Sequence, residues 1–481
     1  MANWFTRKWG TIASISQLYG LRGLLIGIIN YLGGYEVLEG LPVPGSGQRP
    51  RKKSDPPVVA PVRAVLPSKS AAPQWVTEEA ESSAELLKYS YALCRENINP
   101  DPAHSKGKVL MLSHELSRTG APGVLLEAAK VLCEEGYTVT MVAPEQPNPL
   151  TEEMVEDFVA LGIQVYLDHS LMAGRWNKNL PVTPTCSPFF DALAEQYDMV
   201  FCNSFSVHNE VKDLNGGKKG VIWWLHEGSE TYVDGHTAFF PLPIQENVSV
   251  YCVGRYAQKT LKDFGVDIPN RSLLYGIVDR AALHPLTAHE KVRFVLCGSI
   301  CPRKNQLMLL KALELLSPAL LEKAEFILIG GNGEEAYYRK VEEAVKKFDC
   351  VRLLGTMPNS EVLDWYAASD CVVLPSIDDP MPVVLTEGMM LRRIILCSDR
   401  TGTSSYIEEG KNGFVFAHDD PRELADKIAY IIEHISDPAM ASIGENARKV
   451  FEEQFTTDIF RRNLLAAVEE AIAYGKEQAE A

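Results

Sequence analysis

From residue 107 onward the sequence alternates between short apolar runs and stretches of helical spacing. "KGKVLMLSH" is an apolar run behind a basic cap, "VLLEAAKVLCEEG" has helical spacing and ends on glycine, and "YTVTMVAP" returns to strand. The alternation continues through "IQVYLD", "MVFCNS", "GVIWWLH" and "VSVYCVG". A second series starts at "VRFVLCGS" and runs through "NQLMLLKALELL", "AEFILIGG", "DCVVLPS", "RRIILCS" and "GFVFA". Two successive runs of this kind predict two doubly wound parallel sheets, each with its ligand edge at the carboxyl ends of the strands. Two such edges facing one another predict a ligand in the cleft between them.

The chain has 481 residues, 46% of them hydrophobic, more than one core usually holds, which fits two domains with appendages. Its formal net charge is -16, yet residues 1 to 75 carry nine Lys/Arg against three Asp/Glu, so the body is strongly acidic. An acidic body argues against nucleic acid as a partner. The ten cysteines are scattered, mostly in strand-like runs, as expected for reduced core thiols in the cytoplasm. Cys297 and Cys301 are the nearest pair, and with no accompanying Cys or His cluster they read as packing residues and not as zinc ligands.

The first 40 residues form an apolar and basic segment that includes "YGLRGLLIGIINYLGG", too short to span a bilayer. It reads either as a helix packed on the body or a partner, or as a peripheral contact with the inner face of a membrane. Residues 41–75 are rich in Pro, Ser and Lys/Arg and read as a disordered linker, and 76–106 as a helical lead-in. Residues 107–283 and 284–440 are then the two α/β domains. The remaining 441–481 reads as two helices interrupted near Phe455.

Polar residues at strand ends are the candidates for chemistry. In "VLCGSICPRKNQ" the strand stops at Gly298, and Arg303 and Lys304 stand at the mouth of the next helix, where the helix dipole already favours an anion such as a diphosphate. An ordinary solvated basic pair is the plainer reading, but basic residues are disfavoured at a helix N-terminus unless an anion offsets them, which favours binding. "LIGGNGEE" lacks the spacing of a phosphate loop and shows only a tight turn. In "SIDDPMPVVLTEGMM" two adjacent carboxylates precede a helix that contains Glu387, and Pro382 fits the first turn of that helix.

"GSICPRKNQ", "LLGTMPNSEVLDWYAASDCVVLPS", "DDPMPVVLTEGMM" and "SSYIEEGKNGFVF", in that order, resemble the donor-binding half of a retaining family 4 glycosyltransferase. "SHELSRTGAP", "CNS", "WWLHEG" and "LLYGIVD" agree in the first half, so the resemblance covers about residues 107 to 455. It implies the GT-B fold, two facing Rossmann-like α/β domains with an interdomain cleft, and transfer of a sugar from a nucleotide-diphosphate sugar to a glycan or lipid-linked acceptor. The family's Glu-x7-Glu pattern stands here as Asp379-x7-Glu387. The resemblance implies that Asp379 faces the transferred sugar and that Glu387 binds the ribose hydroxyls, a vicinal diol that suits an ionised carboxylate. It gives the diphosphate to Arg303 and Lys304, with Gly298 and Ser299 beside them. The amides of Met381, Val383 and Val384 then point at sugar and phosphates, and backbone near Gly355 and Thr356 takes the base. His226 falls beside the sugar's reacting centre, and the turn at Gly120 leads into a helix that receives donor phosphate or acceptor. His114, Glu115 and Arg118 share that loop on the acceptor side.

Asp379 is one methylene shorter than the usual Glu, and Ser299 stands where many members have arginine. Asp378 and Asp379 also read as helix N-caps, and register decides which of them meets the sugar. No Asp-x-Asp triplet occurs, so no metal and no other cofactor is expected. A non-catalytic sugar-nucleotide-binding scaffold and a GT-B nucleotide-sugar epimerase remain as alternatives, whereas a pyridoxal-phosphate-dependent phosphorylase lacks a candidate lysine motif.

Overall fold

The computed structural model describes residues 87–88, 98–118, 120–144, 154–168, 171 and 188–480. Readings that fall on residues 1–40 and 41–75 lie outside them. The described part of 76–106 carries no α-helix. Leu87–Lys88 (β1) pairs antiparallel with a later strand, and Pro102–His104 is a single 3-10 turn whose Ala103 N–H donates to Asp101. Pro102 takes the first position of that turn, where a missing N–H loses no hydrogen bond.

The first sheet is built from β1 followed by β2 (Lys108–Ser113), β3 (Thr138–Pro144), β4 (Gln164–Asp168), β5 (Met199–Asn203), β6 (Gly220–Leu225), β7 (Val248–Cys252) and β8 (Asn270–Ser272). Its order is β1-β4-β3-β2-β5-β6-β7-β8, parallel except for β1. The second comprises β9 (Val292–Cys297), β10 (Ala324–Ile329), β11 (Val351–Leu353), β12 (Cys371–Leu374), β13 (Ile394–Ser398) and β14 (Phe414–Phe416). Its order is β11-β10-β9-β12-β13-β14, all parallel. Helices cover both faces of each sheet, so the central strands are apolar without alternation. Val109 to Leu112 and Phe294 to Leu296 are fully buried, as two-sided burial requires.

Each sheet reverses its winding once, between β2 and β5 in the first and between β9 and β12 in the second. At such a point neighbouring connections leave towards opposite faces and open a crevice beyond the strand ends. The residues at or just beyond the ends of these four strands are Ser113-His114, Asn203-Ser204, Gly298-Ser299 and Ser376 to Asp379. The two crevices meet in one cleft.

The halves are held together by packing and by the C-terminal helices. Helix Pro438–Gln454 packs on the second half, where Arg448 donates to the carbonyl of Met390 at 2.9 Å, and the same Arg448 bridges to Asp279 at the end of the first half. Phe455 and Thr456 then part it from helix Thr457–Glu480, which lies on β6 of the first sheet. Arg461 anchors that helix to Glu134 and Glu135 at 2.6 and 2.7 Å. Between the halves, the buried Tyr275 and Thr386 hydroxyls share a hydrogen bond of 2.9 Å.

Among the described residues no helix is long and apolar enough to cross a membrane. Five of the eight described cysteines are buried, all eight are free, and no group of His, Cys, Asp and Glu among the described residues is placed to hold a metal.

Candidate active site

The cleft has a volume of about 880 Å³. Gly120, His226, Gly298, Ser299, Arg303, Lys304, Asp379, Met381, Val383, Val384 and Glu387 all line it, as do His114 and Arg118. Gly355 and Thr356 do not. They follow β11 and lie against the end of β10, where the Gly330 N–H donates to the Gly355 carbonyl at 2.9 Å.

Arg303 and Lys304 sit in a 3-10 turn, Pro302–Lys304, that ends on Asn305 in the left-handed conformation (φ 52°). Asparagine tolerates that conformation, and it breaks the path between the turn and helix Gln306–Leu313. The two basic side chains therefore turn across to β12's loop. Lys304 Nζ is ion-paired with Asp379 Oδ2, Arg303 Nη1 lies 3.5 Å from the same oxygen, and Arg303 also donates to the carbonyl of Asp378 at 2.9 Å.

The two aspartates have separate partners. Asp379 faces the cleft and the basic pair, its N–H bonded to the Arg400 carbonyl and its carbonyl to the Gly402 N–H. Asp378 points into the first half, where it accepts from the Glu230 N–H at 2.8 Å and the Tyr256 hydroxyl at 3.0 Å. Neither caps the helix that follows them. Pro382 occupies that N-cap position, one residue earlier than the first-turn placement expected for it, and helix Val383–Met390 starts after it. Its missing N–H costs nothing at a helix start, and the N–H groups of Val383 and Val384 have no partner inside the helix.

Glu387 lies just over one turn into that helix, 8% exposed, with Oε1 accepting from Asn359 Nδ2 at 2.8 Å. Burial pushes its carboxyl up to about 7, while the Asn359 bond and the Arg280 charge pull the other way. Asn359 opens helix Asn359–Ala367, where the sequence alone marks it only as an ordinary helix-start residue.

On the opposite wall His226 follows β6. Its Nε2 lies 2.9 Å from Asn203 Oδ1, and Asn203 Nδ2 reaches the Ala121 carbonyl at 3.3 Å. The Asn oxygen can only accept, so Nε2 carries the proton and Nδ1 is left as an acceptor. Burial, with the nearby His114, lowers the imidazole to about 3 and keeps it neutral. Glu227 underpins this wall: its carboxylate accepts from the N–H groups of Phe205 and His226 at 2.7 and 2.8 Å and from the Ser204 hydroxyl. Ser204 takes φ 83°, unusual outside glycine, and is held there by Trp224 and Trp223 bonds to its own N–H and carbonyl. His114 Nδ1 is buried without a partner among the described residues, and burial lowers this imidazole too.

The cleft thus sets a basic pair and a helix N-terminus on one wall, with the buried carboxyl of Glu387 behind them, against a neutral histidine on the other. Basic side chains and a helix N-terminus at the strand ends of two α/β domains suit an anionic ligand. The "Glycosyl transferases group 1" family model matches residues 284–450, and the "Glycosyl-transferase family 4" model matches residues 105–240. The chain belongs to the family 4, group 1 glycosyltransferases and has their GT-B fold.

A lipopolysaccharide 1,2-N-acetylglucosaminetransferase of Salmonella typhimurium is 24% identical over 309 residues, 58% of this chain and 79% of the relative. An amylovoran biosynthesis glycosyltransferase of Erwinia amylovora is 25% identical over 151 residues, 30% of this chain and 37% of the relative. The crystal structure of HepE from Anabaena in complex with UDP superposes with a TM-score of 0.62 at 17% identity, covering 75% of this chain and 99% of that one.

Proposed function

We propose that the protein is a retaining glycosyltransferase that moves a sugar from a nucleoside-diphosphate sugar to an acceptor hydroxyl in the synthesis of a cell-surface polysaccharide or lipid-linked glycan. The observation that carries this reading is the convergence, in one cleft, of Arg303, Lys304, the amino end of helix Val383–Met390 and Glu387, facing His226. Solved structures of HepE with UDP and with UDP-glucose, and relatives named for lipopolysaccharide and amylovoran synthesis, support the donor class and the type of product.

In this reading Glu387 accepts from the ribose hydroxyls, and Arg303, Lys304 and the Val383 and Val384 amides hold the diphosphate. Charge grows on the leaving diphosphate as the glycosidic bond breaks, and these fixed groups offset it without reorganising. Asp379 bonds the transferred sugar. The Nδ1 of His226 accepts a hydroxyl of that sugar, and no side chain of the cleft is assigned as a covalent nucleophile. The acceptor enters along the wall of His114, Arg118 and Gly120. The basic pair takes the role that a metal plays in other transferases, so turnover persists in EDTA.

Proton NMR of the product formed with an accepted donor tests the stereochemistry. An anomeric proton with the donor's configuration supports the reading, and an inverted one overturns it. A protein that binds a nucleotide sugar but transfers it to no acceptor is the outcome that favours a scaffold.

A further inference from the structure

We infer that Asp378, which the reaction itself does not use, is a positioning residue that latches the cleft closed and so aligns Asp379 and Arg303 against the opposite wall. The inference rests on the transferase reading for its consequence, but not for its geometry.

Asp378 follows β12 of the second half, yet both its carboxylate oxygens bond to groups of the first. Oδ2 accepts from the Glu230 N–H, at the start of helix Ser229–Tyr232, at 2.8 Å, and Oδ1 accepts from the Tyr256 hydroxyl at 3.0 Å. The side chain is 3% exposed. Gly228 makes the approach feasible, since a Cβ there would stand 2.1 Å from Asp378 Oδ1. The backbone of the same residue serves the donor side: its carbonyl accepts from Arg303 at 2.9 Å. One residue on, the chain is clamped from below by the Asp379 bonds to Arg400 and Gly402, and a Cβ on Gly402 would meet the Pro380 carbonyl at 1.6 Å. The loop is thus fixed within its own half, and the carboxylate of Asp378 carries that fixed geometry across to the wall that bears His226 and Glu227.

A buried carboxylate with two donors across an interface is costly to leave unpaired, so opening the cleft exposes Asp378 to water and closing it restores both bonds. Asp378 then acts on closure, and Asp379 on the sugar.

Hydrogen exchange at the Glu230 amide reads the latch directly, without any ligand. Asp378→Ala is expected to speed exchange of that amide about tenfold or more, and Tyr256→Phe, which keeps the carboxylate, to speed it by a smaller factor. With UDP-glucose as the probe, Asp378→Ala is expected to keep the wild-type Kd within about threefold while turnover falls about 100-fold. Asp378→Asn, which retains one acceptor oxygen, is expected to fall between the two. Unchanged Glu230 exchange in both variants overturns the latch. A loss of UDP-glucose affinity that matches the loss of turnover overturns it as well, because Asp378 would then be a donor ligand. Wild-type protein that binds no nucleotide sugar overturns the transferase reading, and the exchange measurement still decides the latch.

Discussion

The side-chain amide of Asn359 donates to Glu387 Oε1 at 2.8 Å, a hydrogen bond that favours ionisation of a carboxyl that burial nonetheless pushes up to about 7. Holding it ionised costs about 3 kcal/mol, since each pKa unit is worth about 1.4 kcal/mol. The folded chain binds this proton more tightly than the unfolded chain. Its contribution to stability is therefore full below the usual carboxyl value and is lost as pH rises through about 7. Glu387→Gln is expected to raise Tm at pH 8 and to leave it nearly unchanged at pH 4. Paired thermal melts at the two pH values check this.

The same proton bears on the donor. Ribose hydroxyls bond best to an ionised carboxylate, so UDP affinity is expected to rise between pH 6 and pH 8 in the wild type and to be flat in Glu387→Gln. Asn359→Ala removes a bond that favours ionisation and moves the wild-type profile to higher pH. Calorimetric titrations across that range measure both effects.

His226 is expected to remain neutral from pH 5 to pH 8, with its proton on Nε2, because Asn203 accepts there and burial lowers the ring to about 3. Nitrogen chemical shifts of the ring report tautomer and charge together. Asn203→Leu frees the tautomer and is expected to lower turnover by about 10- to 100-fold with little change in nucleotide affinity.

Asp379, 7% exposed, is paired with both Lys304 and Arg303. Asp379→Asn removes a negative charge beside Lys304 and Arg303. It is expected to leave UDP binding as tight as wild type or tighter while abolishing transfer. Lys304→Met does the reverse to binding and strands a largely buried carboxylate, at a cost of about 2 to 4 kcal/mol, moderated by Arg303. Urea melts and UDP titrations separate the two variants.

Both sheets, their parallel sense and the cleft were legible in the sequence because two-sided burial writes itself as unbroken apolar runs such as "VLMLS" and "FVLC". The carboxylates and basic residues were legible as residues at strand ends. Their pairings were not. Nothing in "SIDDP" distinguishes the aspartate that faces Lys304 from the one that crosses to Glu230 and Tyr256, because the choice depends on a partner more than 120 residues away. Asn359 and Asn203 were missed as supports for the same reason: each meets a side chain from another connection, and sequence spacing carries no sign of it. Pro382 stood one position off because a proline suits both the N-cap boundary and the first turn.

Donor binding is measured by calorimetric titration of the purified protein with UDP-, GDP-, dTDP- and ADP-sugars in EDTA, repeated on Glu387→Ala. Saturable binding of one nucleotide class by the wild type is expected, with a loss of about 100-fold or more in the variant, the scale of two charge-assisted hydrogen bonds. Binding of none of them, or equal binding by wild type and Glu387→Ala, would contradict donor binding through Glu387.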